Sequence, residues 1–259
     1  MGKLIIDGVE FKFQKIYNSS GETDELVHSI FSYNKLLTYA EMEMVKIINH
    51  SGFKDSNIET AILKNARVLG SGVFNYCSKL TKIDIPNVIS LGNRCFASCV
   101  SLETIILNDE IIEIEERTFA NCRNLKSIKL PSKLEKVGKH AFYMSPKLSI
   151  LSLPDTLEKI EEFAFAETPI AITQLPKKIN IIPSGAFDRC YSLTNLILGG
   201  KGYPIEYISP NNTSEYPYTT GSFNYCNGLK KITVYTTGGQ PLAGAPWGAT
   251  NAAITYLPA

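Results

Sequence analysis

The residues of this 259-residue chain that could catalyse a reaction or bind a metal ion are six cysteines, three histidines and several paired acids. A zinc site needs several such ligands close together, and a cysteine nucleophile needs a base beside it. His28, His50 and His140 lie far apart, and acids such as Glu161 and Glu162 precede a recurring phenylalanine, where solvated charge is the simpler explanation. The Gly-x-Ser-x-Gly and Gly-x-Gly-x-x-Gly motifs are absent. We therefore predict no catalytic constellation, no metal site and no cofactor.

The cysteines follow a sequence period. Phenylalanines recur every 22 or 23 residues, with a longer interval of 36 before the last: Phe74, Phe96, Phe119, Phe142, Phe165, Phe187 and Phe223. Five of the six cysteines come three residues after one of them: Cys77, Cys99, Cys122, Cys190 and Cys226. Stacked units would bring neighbouring Cα atoms to about 4.8 Å, within disulfide range. Their equivalence in the repeat is nevertheless explained by small buried side chains, so we predict reduced thiols.

Each phenylalanine belongs to a repeated unit that reads Leu-x-x-Ile-x-Leu-Pro-x-x-Leu-x-x-Ile-x-x-x-Ala-Phe-x-x-Cys-x-x. Apolar residues two apart before a proline predict a short strand with one buried face. Only about 17 residues separate successive strands, too few for the helices of an alternating β/α fold. No unit closes a core alone, but stacked parallel units would share ladders of Leu, Ile and Phe. The period therefore predicts a solenoid.

Units such as 125–142 (LKSIKLPSKLEKVGKHAF) and 148–165 (LSILSLPDTLEKIEEFAF) resemble BspA-type leucine-rich repeats, over about residues 58–235. The resemblance implies a leucine-rich-repeat solenoid, curved and right-handed, in a non-enzymatic protein that acts as an adhesin or binds host protein, matrix or another ligand. The tail, residues 244–256, resembles endings of such repeat proteins, some of them from phage or prophage tail regions.

The rest of the chain is predicted to cap or interrupt the stack. Residues 1–57 predict an α+β cap or docking domain, with a hairpin at Asp7-Gly8, a helix over 24–37 and a second helix from Thr38 to Ser51-Gly52. The solenoid is expected over 58–235 with an insertion at 199–221, and a C-terminal cap over 236–259. The unit after Phe165 is one residue short, which places Thr173 in an inward slot.

A ligand surface is predicted where outward strand positions are apolar and the insertion is rich in tyrosine. Exposed apolar patches often mark interaction sites, and tyrosine-rich loops are typical of adaptable recognition. Two alternatives stay open: β-branched residues are simply favoured in strands, and the loop could fold back on the stack. The predicted ligand-binding residues are Ile150, Ile172, Ile197, Tyr203, Tyr207, Tyr216 and Tyr218.

Composition narrows the functional classes. Lys and Arg total 26 against 25 Asp and Glu, a net charge of +1, which disfavours nucleic-acid binding. No apolar run reaches 18 residues and no signal-peptide core follows Lys3, so membrane insertion is not expected. We predict a non-catalytic binding or adhesion protein that recognises a protein or glycan at a bacterial cell or phage surface. The alternative is a phage tail or virion component that docks to other subunits through its N-terminal region.

The two functions correspond to different locations. The chain is expected at the cell surface or secreted if a signal peptide was trimmed, and otherwise virion-associated or cytoplasmic.

Overall fold

The computed structural model describes residues 2–18, 21–26, 28–150, 152–210 and 220–259. The chain winds into a parallel β-solenoid of about ten turns. The only helical segment among these residues is a short 3-10 turn at Thr237–Gly239. The strands are, in chain order, β1 (Gly2–Ile6), β2 (Val9–Phe13), β3 (Ile16–Asn18), β4 (Gly21–Thr23), β5 (Glu25–Leu26), β6 (Leu37–Met42), β7 (Ile47–Ile48), β8 (Thr60–Ile62), β9 (Val68–Leu69), β10 (Lys82–Asp84), β11 (Ser90–Leu91), β12 (Thr104–Ile106), β13 (Glu113–Ile114), β14 (Ser127–Lys129), β15 (Lys136–Val137), β16 (Lys159–Ile160), β17 (Ile181–Ile182), β18 (Asn195–Leu198), β19 (Tyr207–Ile208), β20 (Lys231–Thr236) and β21 (Ala253–Pro258).

Most turns of the solenoid, called rungs below, add one strand to each of two ladders, and among the described residues the rungs of Ile150 and Ile172 add a strand to the second ladder only. The first ladder contains the sheets β2-β1-β6-β8-β10, β12-β14 and β18-β20-β21. The second contains β5-β7-β9-β11, β13-β15-β16 and β17-β19, and β3 pairs with β4 as a separate hairpin. Within the ladders, apart from the β1–β2 and β1–β6 pairs, neighbouring strands run parallel and pair equivalent positions of successive repeats, such as Ile105 with Ile128. The predicted leucine-rich-repeat solenoid is confirmed.

The phenylalanines form a continuous ladder inside the stack. Rings in neighbouring rungs lie parallel with centroids 5.1 to 5.7 Å apart, the range of stacked aromatic pairs. The ladder also contains two rings that the sequence period missed, Phe31 and Phe53, whose centroids are 5.2 Å apart. Phe96, Phe119 and Phe142 therefore lie one over another, as the repeat predicted.

From Phe31 to Phe187 the backbone around each ladder phenylalanine makes the same turn, and we call this side of the molecule the turn face. The residues two before and two after the ring are left-handed, as at Arg94 (φ 57°) and Ser98 (φ 60°) around Phe96, whereas at Phe223 only Tyr225, two after the ring, is left-handed. The N–H group of Phe96 donates to the Thr118 carbonyl of the next rung at 2.9 Å. The residue two after each ring is exposed or half-buried in every rung. The turn face thus presents one row of variable side chains on a fixed backbone.

The N-terminal region is a hairpin followed by further rungs. The hairpin at Asp7-Gly8 is confirmed: β1 and β2 pair antiparallel, and β1 also pairs with β6 and covers the edge of the first ladder. The two predicted helices are wrong, because the described residues of 24–37 and those after Thr38 form turns and the strands β5, β6 and β7. Apolar residues three or four apart suit a helix and a rung alike, and ladder pairing decides the outcome here.

Two neighbouring rungs carry a different spacing of inward side chains. In a regular rung, Leu102, Ile105 and Leu107 are buried, a spacing of three and then two. In the irregular rungs the spacing is two and then three: Leu148, Ile150 and Leu153 are buried in one, and Ile170, Ile172 and Leu175 in the next. Thr173, predicted to face inward, is exposed. A shift of one residue exchanges the two faces of a strand, so the isoleucines enter the core and the hydroxyl reaches water.

The C-terminal region adds one more rung to the stack. β21 pairs in parallel with β20 over six residues. Trp247 is fully buried, and its carbonyl accepts the N–H of Phe223 at 3.0 Å. Most of the extra residues before Phe223 follow Ile208, whose strand β19 is an ordinary member of the second ladder.

Candidate functional site

Five of the six cysteines occupy a structural slot that accepts a small hydrogen-bond donor, and Cys95 takes the alanine position before Phe96. The thiol of Cys122 donates to the carbonyl of Phe96 in the preceding rung at 3.1 Å, and Cys99 and Cys190 make the equivalent bond. Ser145 occupies the same slot and donates its hydroxyl to the Phe119 carbonyl at 3.0 Å. The slot therefore accepts either side chain, which explains the period of the cysteines without any reactivity.

Burial makes these thiols poor nucleophiles. All six cysteines are free and buried. Burial raises the pKa of Cys122 and of Cys226 from 9.0 to about 12, and that of Cys77 to about 11. The thiolate is the nucleophilic form, and it is scarce at neutral pH in this environment.

The histidines are used for packing. His28 stacks on His50 with ring centroids 5.1 Å apart, and the His50 Nδ1 accepts the N–H of Ser71 at 3.2 Å. His140 stacks on Phe163 at 5.1 Å, and burial lowers its pKa. In the described part of the chain, no three His, Cys, Asp or Glu residues are grouped to hold a metal ion. Nor does any helix within those residues have the length and apolarity that a membrane crossing requires.

The structure divides the predicted ligand-binding residues into three groups. Ile150 and Ile172 are 3% and 2% exposed, so the predicted apolar patch across three isoleucines is wrong, for the reason of register given above. Ile197, Tyr203 and Tyr207 are exposed at 39%, 48% and 49%. Tyr216 and Tyr218 lie outside the described residues.

Two exposed tyrosines at the start of the insertion, Tyr203 and Tyr207, lie beside the second ladder. Together with Ile181 we call them the insertion root. Tyr207 pairs in register with Ile181, and both side chains are 49% exposed. The Lys177 ammonium lies 5.9 Å from the centroid of the Tyr203 ring, within cation–π distance. Of the sequence-predicted surface, this small group of aromatic and aliphatic side chains is what the described residues bring to the exterior.

A second candidate surface, missed in the sequence, is a groove along the turn face. Two adjoining hollows of about 390 and 270 Å³ share Arg123 and Met144, and we call them together the turn groove. Four of the five arginines of the chain line it: Arg94, Arg117, Arg123 and Arg189. Three tyrosines line it as well: Tyr76, Tyr143 and Tyr191.

In the sequence, the arginines of this groove can be recognised as a group only by counting their positions from the repeated phenylalanines. Arg94 and Arg117 lie two residues before a ladder phenylalanine, and Arg189 two residues after one. These are the two left-handed positions of the turn, so their side chains share one face of the solenoid. Arginine and tyrosine are among the residues most enriched at the energetic centres of protein interfaces.

Acidic residues neutralise part of the arginine row. Glu116 pairs with both Arg94 and Arg117, at 3.1 and 2.5 Å. Arg189 contacts Glu167 at 3.2 Å and Asp188 at 3.4 Å, and its guanidinium lies 5.2 Å from the ring centroid of Tyr225. Burial raises the pKa of Asp188, which Arg189 and a hydrogen bond from Asn224 oppose.

The chain matches one family of repeats along nearly its whole length. A sequence profile described as BspA type Leucine rich repeat region matches in six copies, over residues 10–125, 89–215 and 148–238. No curated protein is significantly similar to the chain.

Several crystal structures have the same fold. A leucine-rich repeat protein from Bacteroides ovatus ATCC 8483 is 21% identical with a TM-score of 0.63, and the match covers 86% of this chain and 62% of that protein. A leucine rich cell surface protein from Faecalibacterium prausnitzii A2-165 is 18% identical with a TM-score of 0.58, covering 93% and 79%. The T. pallidum leucine-rich repeat protein is 20% identical with a TM-score of 0.52, covering 72% and 82%. The chain thus spans less than two thirds of the Bacteroides protein.

Proposed function

The chain belongs to the BspA-type leucine-rich repeat family, and on that premise we propose that it is a non-catalytic binding protein that recognises a protein or glycan at a bacterial cell or phage surface. The observation that carries the proposal is the set of exposed tyrosines and arginines held on a rigid stack of rungs. Rigid aromatic side chains contribute contact area at a small entropic cost on binding. The cell-surface location is proposed by analogy with the Faecalibacterium prausnitzii protein, which is described as a cell surface protein.

Two surfaces support binding. One is the insertion root, formed by Ile181, Tyr203 and Tyr207, while Ile197 is exposed on the first ladder. The other is the turn groove, which lies on the turns and not on the strands. At Tyr207, Arg94 and Arg117 the backbone N–H is hydrogen-bonded to a carbonyl of a neighbouring rung, which fixes the positions from which these side chains project.

The experiment is a binding screen with the whole chain. We expect the biotinylated protein to retain at least one ligand on combined arrays of extracellular proteins and glycans. Tyr203→Ala and Tyr207→Ala should weaken a ligand bound at the insertion root. Tyr33→Ala is the matched control, because Tyr33 is also exposed, at 60%, but lies near the N-terminal end. The absence of any ligand above background would contradict the proposed function.

One observation favours the alternative function, a phage tail or virion component docked through residues 1–57. The outer strand of the N-terminal hairpin, β2, exposes Val9 at 55% and Phe11 at 50% at the end of the stack. Exposed apolar side chains beside an open strand edge suit contact with another subunit. Mass spectrometry of purified particles from the host of this gene would find the chain, and Phe11→Asp would release it. Particles free of the chain would exclude this function.

A further inference from the structure

We propose that the turn groove binds an extended acidic segment of a partner protein, an inference that rests on the proposed binding function and assigns a ligand class to one surface. The turn groove differs from the surface predicted from the sequence, and its ligand class follows from its charge and shape. The charged side chains that line it are four arginines and one acid, Glu167. Arg189 is balanced by Glu167 and Asp188, so the excess of cations lies in the part of the groove formed by Arg94, Arg117 and Arg123, where three positive charges meet the single carboxylate of Glu116.

The central cation of the groove is available to a ligand. Arg123 lies where the two hollows meet and is exposed. Its Nε donates to the Asn121 side-chain oxygen at 2.8 Å, which orients the guanidinium. Among the residues that the structure describes, no carboxylate forms an ion pair with Arg123. A guanidinium presents several donors in one plane and binds carboxylates in a bidentate manner.

The flanking cations retain unused capacity. Arg94 and Arg117 share a single carboxylate, that of Glu116, so two positive charges meet one negative charge. Their side chains are 46% and 36% exposed, which leaves donors facing the groove. A ligand carboxylate placed between Arg117 and Arg123 would complete this array of charges.

The shape of the groove suits an extended chain. It crosses six rungs, from that of Phe74 to that of Phe187, where ring centroids are 5.4 to 5.7 Å apart. That length, about 28 Å, matches roughly eight residues of extended polypeptide. Met144, Pro146 and Pro169 line one hollow, so its apolar surface can receive aliphatic side chains that alternate with the carboxylates.

A groove on the second ladder provides an internal contrast. It has a volume of about 510 Å³, and its charged lining is Glu158, Glu161, Glu162 and Lys159. Its lining cation, Lys159, is paired with Glu161, so this groove offers an acidic segment no free cation, although its volume exceeds that of either hollow of the turn groove. Charge therefore favours the turn groove for this ligand.

The test uses the full chain and fluorescein-labelled octapeptides of alternating Glu and Leu, measured by fluorescence polarisation. The same peptide with Gln in place of Glu is the neutral probe. We expect the acidic peptide to bind and the neutral one to bind at least tenfold more weakly, with the difference shrinking as salt rises. Arg123→Gln should weaken the acidic peptide about tenfold, because a charge-assisted hydrogen bond is lost. Glu116→Gln should strengthen it about threefold.

The matched control is Arg67→Gln, which removes the one arginine outside the groove, an exposed side chain, with the same change of charge. It should change the affinity less than twofold. Equal binding of the acidic and neutral peptides, or equal losses in Arg67→Gln and Arg123→Gln, would overturn the inference. If polygalacturonate bound in an Arg123-dependent manner and the peptides did not bind, the ligand of the groove would be an acidic glycan and not a peptide. If the peptides did not bind, and a ligand found on the arrays bound Arg123→Gln as tightly as the unchanged protein, the proposed binding function would stand and the turn groove would be excluded as its site.

Discussion

Replacing Phe142 by alanine measures how much one ring of the ladder contributes to stability. Phe142 is fully buried between the rings of Phe119 and Phe165, with centroid distances of 5.7 and 5.5 Å. Truncating a buried phenylalanine costs about 3 to 5 kcal/mol, including the cavity that remains. Each stacked pair contributes about 0.5 to 1.5 kcal/mol of that loss. The rungs on both sides are held by their own hydrogen bonds and cannot collapse into the space, so we expect the upper part of this range.

The assay is urea unfolding followed by far-UV circular dichroism. Fluorescence of Trp247, the single tryptophan, provides a second probe of whether the transition is two-state. The matched variant is Phe31→Ala, because Phe31 is half-buried at the N-terminal end and stacks only on Phe53 among the described rings. Its free energy of unfolding should fall by less than half as much. A loss below about 1 kcal/mol for Phe142→Ala, or equal losses for the two variants, would refute the ladder as the main source of stability.

Three further predictions concern the register and the thiol slot. Ile172→Lys should lower the free energy of unfolding by more than about 3 kcal/mol, because it places a charge in the core, whereas Thr173→Lys should change it by less than about 0.5 kcal/mol. Thermal unfolding measures both variants, and a larger loss for Thr173→Lys would show that this rung has the regular spacing. Cys122→Val should cost about 0.5 to 1.5 kcal/mol, because the Phe96 carbonyl loses the Cys122 thiol and keeps only the N–H of Cys99. Cys122→Ser should cost less, since Ser145 fills the same slot, and chemical denaturation that ranks the two equally would reject the slot. Burial raises the pKa of Cys122 from 9.0 to about 12, so the folded state retains a proton that the unfolded state loses above pH 9. The free energy of unfolding should therefore fall by about 1.4 kcal/mol per pH unit for each such thiol as the pH rises from 9 to 12. Cys122→Ser should reduce this slope, and an unchanged slope would show that the thiol does not contribute.

The sequence predicted the fold correctly where one position of the repeat recurs and no helical spacing of apolar residues competes with it. Phe96, Phe119 and Phe142 are such positions, and they stack as predicted. Phe31 and Phe53 continue the same period, yet their neighbourhood also has apolar residues three or four apart, which predicted helices. Local spacing is ambiguous between these structures, and pairing of β6 with β8 in the ladder resolves it.

The candidate sites depended much more on tertiary structure. Ile150 and Ile172 looked outward when counted from the repeat, but both are buried because their rungs adopt another spacing. Arg94 and Arg123 are separated by 29 residues, and no local pattern connects them, yet both line the turn groove. Such contacts depend on how neighbouring turns stack and not on any single segment.

By itself, the sequence determined that short units stack on a shared interior, because a period of 22 or 23 residues allows no unit to bury its apolar face alone. Only the tertiary structure decided which face each isoleucine of the irregular rungs takes, since a shift of one residue costs little locally and is settled by contacts with the rungs above and below. It also decided where the arginines meet, because the left-handed turns align side chains that the chain order keeps apart.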